Sequence, residues 1–345
     1  MKMMLWLFLL PAVLSAPLWG RGGGEKKLQN NADGTAKLSP AKKILVLDAD
    51  PDSSAHLNLY VAYEKGLFKK RGLEVEIQGS VSGLTLVVSG KADILFGCPS
   101  GVVSAIARGA NVAMIGQVTL PCSSTLIVPV DSSYRKPVDL DAQMIAGLSP
   151  ICCAVVSIRN TLQTQYDTDF RLVALEPEAA LAALGAGQVQ GAIFEEPFVS
   201  LALLKKDAAG KLLYRALFDG SSDADGDGEI EPSLAGPKAP CHAITAGRNF
   251  IAARPDEAKA FIEAIDEANS LILREPGAED IADITVKHTG FDREAVIASA
   301  PRMGFTIQLG VEEFKAYAGL LARQGSIERD PGDDLFAPEF KGITW

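Results

Sequence analysis

ILVLDADPDSSAHLNLYVAYEKGLFKKRGLEVEI, residues 44–77, decides the architecture. With Lys43 in front, Ile44-Leu45-Val46-Leu47 is an unbroken apolar run of strand length, as a strand buried on both faces requires. A polar loop follows from Asp48 to Ser54. The spacing then predicts a helix over Ala55–Arg71, with Leu57, Tyr60, Val61, Tyr63, Leu67 and Phe68 on its apolar face. Lys69, Lys70 and Arg71 complement the negative end of the helix dipole, and Gly72 suits the residue past the end. Leu73-Glu74-Val75-Glu76-Ile77 alternates strictly, which reads as a half-exposed strand. A strand, a crossover helix and a second strand in this order imply a parallel pair.

Working outward, the alternation persists. Helices are expected at 84–89 and 101–108, and strands at 94–96, 113–117 and 125–130, giving a first unit over 43–130. A second unit, 131–240, carries strands at Met144–Leu148, Arg171–Ala174 and Ala192–Phe194. Its helices begin near Pro150, Pro177 and Pro197, where a missing N–H costs nothing. After Cys241 comes a strand over His242–Ala246 and then mostly helix. Asp256–Arg274 places Ala258, Phe261, Ile262, Ile265, Ala268 and Ile272 on one face. Further helices are expected near 278–288, 292–300 and 311–323. The expected class is α/β: two lobes, each a mainly parallel sheet flanked by helices, with 241–345 completing lobe one.

The N-terminus reads as an export signal, either cleaved or retained as a membrane anchor. Residues 1–16 hold the early charge Lys2, an apolar run from Met3 to Leu14 too short to span and stay, and small residues at Ser15 and Ala16. Residues 17–42 have the Gly-, Lys- and Asn-rich composition of a tether. Such a chain is expected outside the cytoplasm. Its net charge of −10 and lack of a basic run argue against nucleic acid as a partner. The cysteines are five in number (Cys98, Cys122, Cys152, Cys153, Cys241), an odd count without the spacing of a disulfide framework or zinc site.

Leu59 to Glu76, with its Glu64-Lys65-Gly66-Leu67-Phe68 centre, resembles the signature of type II periplasmic solute-binding proteins of ABC importers. The branch is the one containing binders of thiamine-pyrimidine precursors, sulfonates and nitrate. Ser89-Gly90-Lys91-Ala92-Asp93-Ile94, Leu181–Pro197 and Phe250–Pro276 resemble further segments of that family, in order, and together these stretches span 43–325. The resemblance implies the type II fold, C-terminal helices packed on lobe one, a membrane permease as partner and a monomeric receptor. Leu47-Asp48 followed by Pro51 resembles the opening of the pyrimidine-precursor binders, although Ala49 stands where an aromatic often follows. Cys152-Cys153 is not the cysteine-rich motif of the family's pyrimidine-synthesising yeast relatives, so that activity is not carried over.

In open α/β sheets, ligands sit beyond the carboxyl ends of strands. Lobe one then offers Asp48, Asp50, Ser100, Gln117 and Ser123, and lobe two offers Ser149, Cys152, Phe194, Glu195 and Glu196. Ser100 and Ser149 precede helices, whose free N–H groups hold anions or are simply capped. Glu195 and Glu196 would recognise an amine or amidine, or stabilise the next helix's N-terminus. The cysteines, with His56 and His242, lie in or beside these loops. That leaves soft-metal capture and plain tight packing both open. Asp223, Asp225, Asp227 and Glu229 match the opening of a calcium loop, whose twelfth position is Leu234. Structural calcium is the only cofactor the sequence suggests.

No nucleophile elbow, zinc-protease helix, Walker loop or dinucleotide fingerprint is present. The reading is a receptor with no catalysis, closing on a small molecule about hinges near Val130–Ser132 and Ala239–His242. An aromatic heterocycle such as a pyrimidine is the leading ligand. A sulfonate, nitrate or similar oxyanion is the alternative, and a sensory module would use the same physics.

Overall fold

The computed structural model describes residues 43–51, 53–119, 122, 124–219 and 240–341. The signal, the tether, Ser123 and the acidic loop with Asp223, Asp225, Asp227 and Glu229 lie outside the described residues. The strands, in chain order, are β1 (Ile44–Asp48), β2 (Val75–Gly79), β3 (Ile94–Gly97), β4 (Val112–Thr119), β5 (Thr125–Pro129), β6 (Met144–Gly147), β7 (Arg171–Ala174), β8 (Gly191–Phe194), β9 (Tyr214–Asp219) and β10 (Cys241–Gly247).

They form two five-stranded sheets, ordered β2-β1-β3-β10-β4 and β7-β6-β8-β5-β9. In the first, β1 pairs parallel with β2 and β3, and β10 runs antiparallel to both neighbours. In the second, β6 pairs parallel with β7 and β8, and β5 is antiparallel to β8 and β9. Each sheet is thus mainly parallel with one reversed strand. The reversed strand in each case is the one by which the chain enters from the other lobe.

That topology corrects the expected boundary at residue 130. Periodicity puts the strand at 125–130 in the first unit, but β5 pairs with β8 and β9. An apolar run buried on both faces reads the same in either sheet, so periodicity cannot assign it. The crossings therefore fall at 119–125 and 219–241, the first of them upstream of the expected Val130–Ser132.

The expected helix over 55–71 is also divided. A 3-10 turn, Ser54–His56, leads into the helix Leu57–Glu64, and a short helix Leu67–Lys70 follows Gly66. Gly66 adopts φ 68°, a left-handed conformation that glycine takes without a Cβ penalty. Inside, Phe68 stacks on Phe261 at 4.9 Å, and Phe96 meets the same ring edge-on at 6.2 Å. Phe261 belongs to the helix Pro255–Arg274, which packs on Leu57–Glu64 and shares the buried Asn58–Asn269 hydrogen bond of 2.9 Å. The C-terminal helices thus pack on lobe one. They also reach across: helix Arg293–Ser299 packs on Phe198–Leu204 of lobe two, and Tyr317 donates to the Ile151 carbonyl at 2.7 Å.

Candidate functional site

Between the two sheets lies a cavity of about 340 Å³. Lobe one contributes Asp50, Ser53 and Cys98 from its strand-end loops, and His242 from β10. Lobe two contributes Leu148, Cys152, Glu176, Glu178 and the run Phe194–Phe198. Apolar walls and a few polar groups are what a small-molecule pocket requires.

Asp48 does not line this cavity. It is fully buried; one carboxylate oxygen receives His56 Nδ1 at 2.6 Å and the Asp50 N–H at 2.9 Å, and the other receives the Tyr60 hydroxyl at 2.6 Å. Burial alone would push this carboxyl up, but His56 and Tyr60 outweigh it and hold it below its ordinary value. Asp48 thus clamps the loop that presents Asp50. Burial pushes Asp50 above its ordinary value, against the pull of His242 and His56.

Four more expected site residues have internal partners. Gln117 is fully buried, donates to the Thr119 carbonyl at 2.7 Å and accepts the Gly310 N–H at 2.9 Å. Cys98, not Ser100, holds the N-cap of helix Pro99–Ala107, and Ser100 is buried 3.3 Å from the Cys98 sulfur. The Ser149 hydroxyl accepts the Ile151 N–H at 3.3 Å. Glu196 accepts the Ser200 N–H at 3.0 Å and pairs with Arg302, which also binds Asp219 at 2.7 Å. Burial raises the Glu196 carboxyl above its ordinary value although Arg302 opposes it. Arg302 escaped the sequence reading because nothing local marks a cation whose partners lie about a hundred residues upstream.

Glu195 is the centre of the site. Its Oε2 lies 3.7 Å from His242 Nε2, and its Oε1 lies 3.1, 3.3 and 3.5 Å from the sulfurs of Cys122, Cys153 and Cys241. Burial works against its charge, but His242 outweighs burial and keeps the carboxyl below its ordinary value. Burial likewise opposes charge on His242. The Cys241 sulfur and Glu195 overcome this and hold the imidazole well above its ordinary value. His242 sits at φ 41°, a conformation that side chains with a Cβ rarely adopt and that here aims the ring between the lobes. Its Nδ1 and the Nε2 of His56 are buried with no hydrogen-bond partner, and the two rings lie 4.6 Å apart.

All five cysteines are gathered at this place as free thiols. Hydrogen bonds from Cys122 and Cys153 pull Cys241 down to about 6, and those from Cys152 and Cys153 pull Cys98 well below its ordinary value. Burial pushes Cys122 well above it. Sequence spacing hid this gathering, since the residues come from four different loops or strand ends.

Two sheets facing across a cleft, with the chain crossing between them twice, define the two-lobed solute-binding fold. The family model for NMT1/THI5-like proteins matches residues 53–279, and the chain belongs to that family. No curated protein sequence matches. Among solved structures, the periplasmic aliphatic sulphonate-binding protein SsuA from Escherichia coli is similar over 89% of this chain and 95% of its own, with TM-score 0.69 and 16% identity. The alkanesulfonate-binding SsuA from Xanthomonas axonopodis pv. citri, bound to MOPS, matches 87% of this chain and 99% of its own, with TM-score 0.65 and 18% identity. The periplasmic nitrate-binding protein NrtA from Synechocystis matches 86% and 85%, with TM-score 0.62 and 14% identity. The fold is therefore that of the branch the sequence resembles.

Proposed function

We propose that this protein is the extracytoplasmic substrate-binding component of an ABC importer. It captures a small organic molecule bearing an amine or amidine, such as an aminopyrimidine, and does no chemistry on it. The reading rests on the cleft's charge. Asp50, Glu176, Glu178, Glu195 and Glu196 line it against one imidazole, His242, and no lysine or arginine does so among the described residues. Carboxylates at Asp50 and Glu195 suit hydrogen-bond donors on a ligand. Phe194, Phe198, Leu148 and Leu175 suit a flat apolar ring between them. Among the described residues no helix is long and apolar enough to cross a membrane. A monomer that delivers its ligand to a permease, after the lobes close about 119–125 and 219–241, fits the fold.

One observation favours the oxyanion reading. Helices Pro99–Ala107 and Cys153–Tyr166 begin at the cleft with no side-chain cap on their first N–H groups. Calcium on the 223–229 loop remains a separate proposal from sequence. A thermal-shift series on chelator-treated, reduced protein separates the ligand classes. Aminopyrimidines at a hundredfold excess over Kd should stabilise by about 2.7 kcal/mol, and Glu195→Gln should abolish the shift. Stabilisation by sulfonates or nitrate alone would overturn the heterocycle reading.

A further inference from the structure

Behind the cleft floor, four side chains converge from four separate stretches. Cys122 lies on the first crossing, Cys153 opens helix Cys153–Tyr166, Cys241 opens β10, and Glu195 follows β8. None of the three cysteines lines the cavity, so ligand capture does not account for them. Their side chains are almost wholly withdrawn from solvent. Tight packing would explain buried thiols, but not a carboxylate set among them.

The distances have a simple geometric meaning. The Cys153 sulfur lies 3.9 Å from both Cys122 and Cys241, and Cys122 and Cys241 are 2.7 Å apart. Glu195 Oε1 is 3.1–3.5 Å from all three, and the four donor atoms lie within 4.8 Å of one another. A tetrahedral ion with Zn–S bonds near 2.3 Å and a Zn–O bond near 2.1 Å spaces its sulfurs about 3.8 Å apart and each sulfur about 3.6 Å from the oxygen. Five of the six edges are therefore within roughly half an ångström of that figure, and the Cys122–Cys241 edge needs to open by about 1 Å. An outer layer is present too. His242 Nε2 faces the second oxygen of Glu195, the arrangement that orients a ligating carboxylate. Glu195 is 23% exposed at its side chain, which gives an ion a way in from the cleft.

We propose that Cys122, Cys153, Cys241 and Glu195 Oε1 form a tetrahedral site for a thiophilic divalent cation of the zinc type, seated beneath the ligand cleft. Sulfur donors select such an ion over magnesium or calcium. The site does not depend on which organic molecule occupies the cleft above it.

The test uses the full chain, reduced, stripped with chelator and held without oxygen, with no organic ligand present. Cobalt(II) is the probe. One equivalent should give the thiolate-to-cobalt charge-transfer absorption and the intense visible bands of tetrahedral coordination, and one equivalent of zinc should erase both. Cys153→Ser should remove most of the charge-transfer intensity. Glu195→Gln should keep the thiolate bands and weaken affinity roughly tenfold or more. Because a cysteine variant can fail to fold, the wild-type spectrum carries the decision alone. Reduced wild-type protein in which every thiol titrates, but which gives no thiolate–cobalt band, overturns the site. So does a Cys122–Cys241 disulfide that persists in the reduced preparation and blocks uptake. Failure of aminopyrimidines to bind leaves this result untouched.

Discussion

Arg302 offers the sharpest perturbation. Its side chain is 11% exposed, and its guanidinium faces the side chains of Glu196, 0% exposed, and Asp219, 1% exposed. It also reaches the Thr125 hydroxyl at 3.2 Å, so it links three points of lobe two to the C-terminal segment. Arg302→Met keeps the apolar stem and deletes the charge, leaving two carboxylates buried side by side. Breaking a buried pair from one side costs about 3–5 kcal/mol, because the stranded charge has nowhere to go. At roughly 2 °C per kcal/mol for a chain of this size, the melting temperature should fall by about 6–10 °C. The penalty should depend on pH. A carboxyl raised in the folded state binds more protons folded than unfolded, so its contribution falls as pH rises from about 4.3 towards the folded value. Removing Arg302 raises Glu196 further, so the deficit should shrink in acid and widen towards neutrality. Glu196→Gln in the same chain should recover part of it. Urea unfolding at several pH values reads all of this. A loss under about 1 kcal/mol, flat with pH, would refute the account of Arg302 as counter-charge to a buried acid pair.

Other outcomes follow from the same structure. Asp48 is held below its ordinary value, so its contribution is complete above about pH 3.9 and is lost as pH falls through the lower folded value; Asp48→Asn should flatten the acid limb of a stability–pH curve, and an unchanged limb would count against the clamp. Gln117→Leu strands the Gly310 N–H and the Thr119 carbonyl and should cost about 2–4 kcal/mol in urea without changing ligand specificity. Gly66→Ala meets no atom within 4 Å but forces a Cβ residue to φ 68°, and should cost about 1 kcal/mol; no change in midpoint would show that the turn relaxes. Phe261→Ala removes a ring stacked on one aromatic and edge-on to another, and should cost about 3–5 kcal/mol by thermal melting.

Much of the fold is legible because local signals agree. The run from Ile44 to Ile77 declares strand, helix and strand by periodicity alone, and the helix Pro255–Arg274 declares its buried face in the same way. What is not local is harder. β5 is apolar on both faces and so carries no mark of the sheet it joins. β9 is a short segment, Tyr214–Asp219, whose apolar and polar residues keep no steady alternation, so periodicity does not mark it as a strand. The cleft shows the same division. The rule that ligands sit at strand ends selects loops, and the structure places Asp50, Cys152, Phe194, Glu195 and Glu196 on the cavity wall. It cannot say which of two neighbouring acids turns outward. Asp48 against Asp50, and Glu195 against Glu196, are decided by His56, Tyr60 and Arg302, all fixed by tertiary packing.

The C-terminal segment has a consequence for ligand exchange. Besides the chain crossings, the lobes are joined by the Tyr317–Ile151 hydrogen bond, the Arg302 contacts and the edge-on packing of Phe291 on Phe198 at 5.1 Å. Any rotation that widens the cleft has to break some of these first. Each hydrogen bond alone contributes about 1 kcal/mol, and the buried charges more. Opening therefore costs the free energy of these contacts before any ligand arrives. For a ligand that enters only an open form, that cost would lower the association rate and slow release. Substitutions far from the cavity, at Tyr317 or Phe291, should therefore change the tempo of capture and release without touching the ligand.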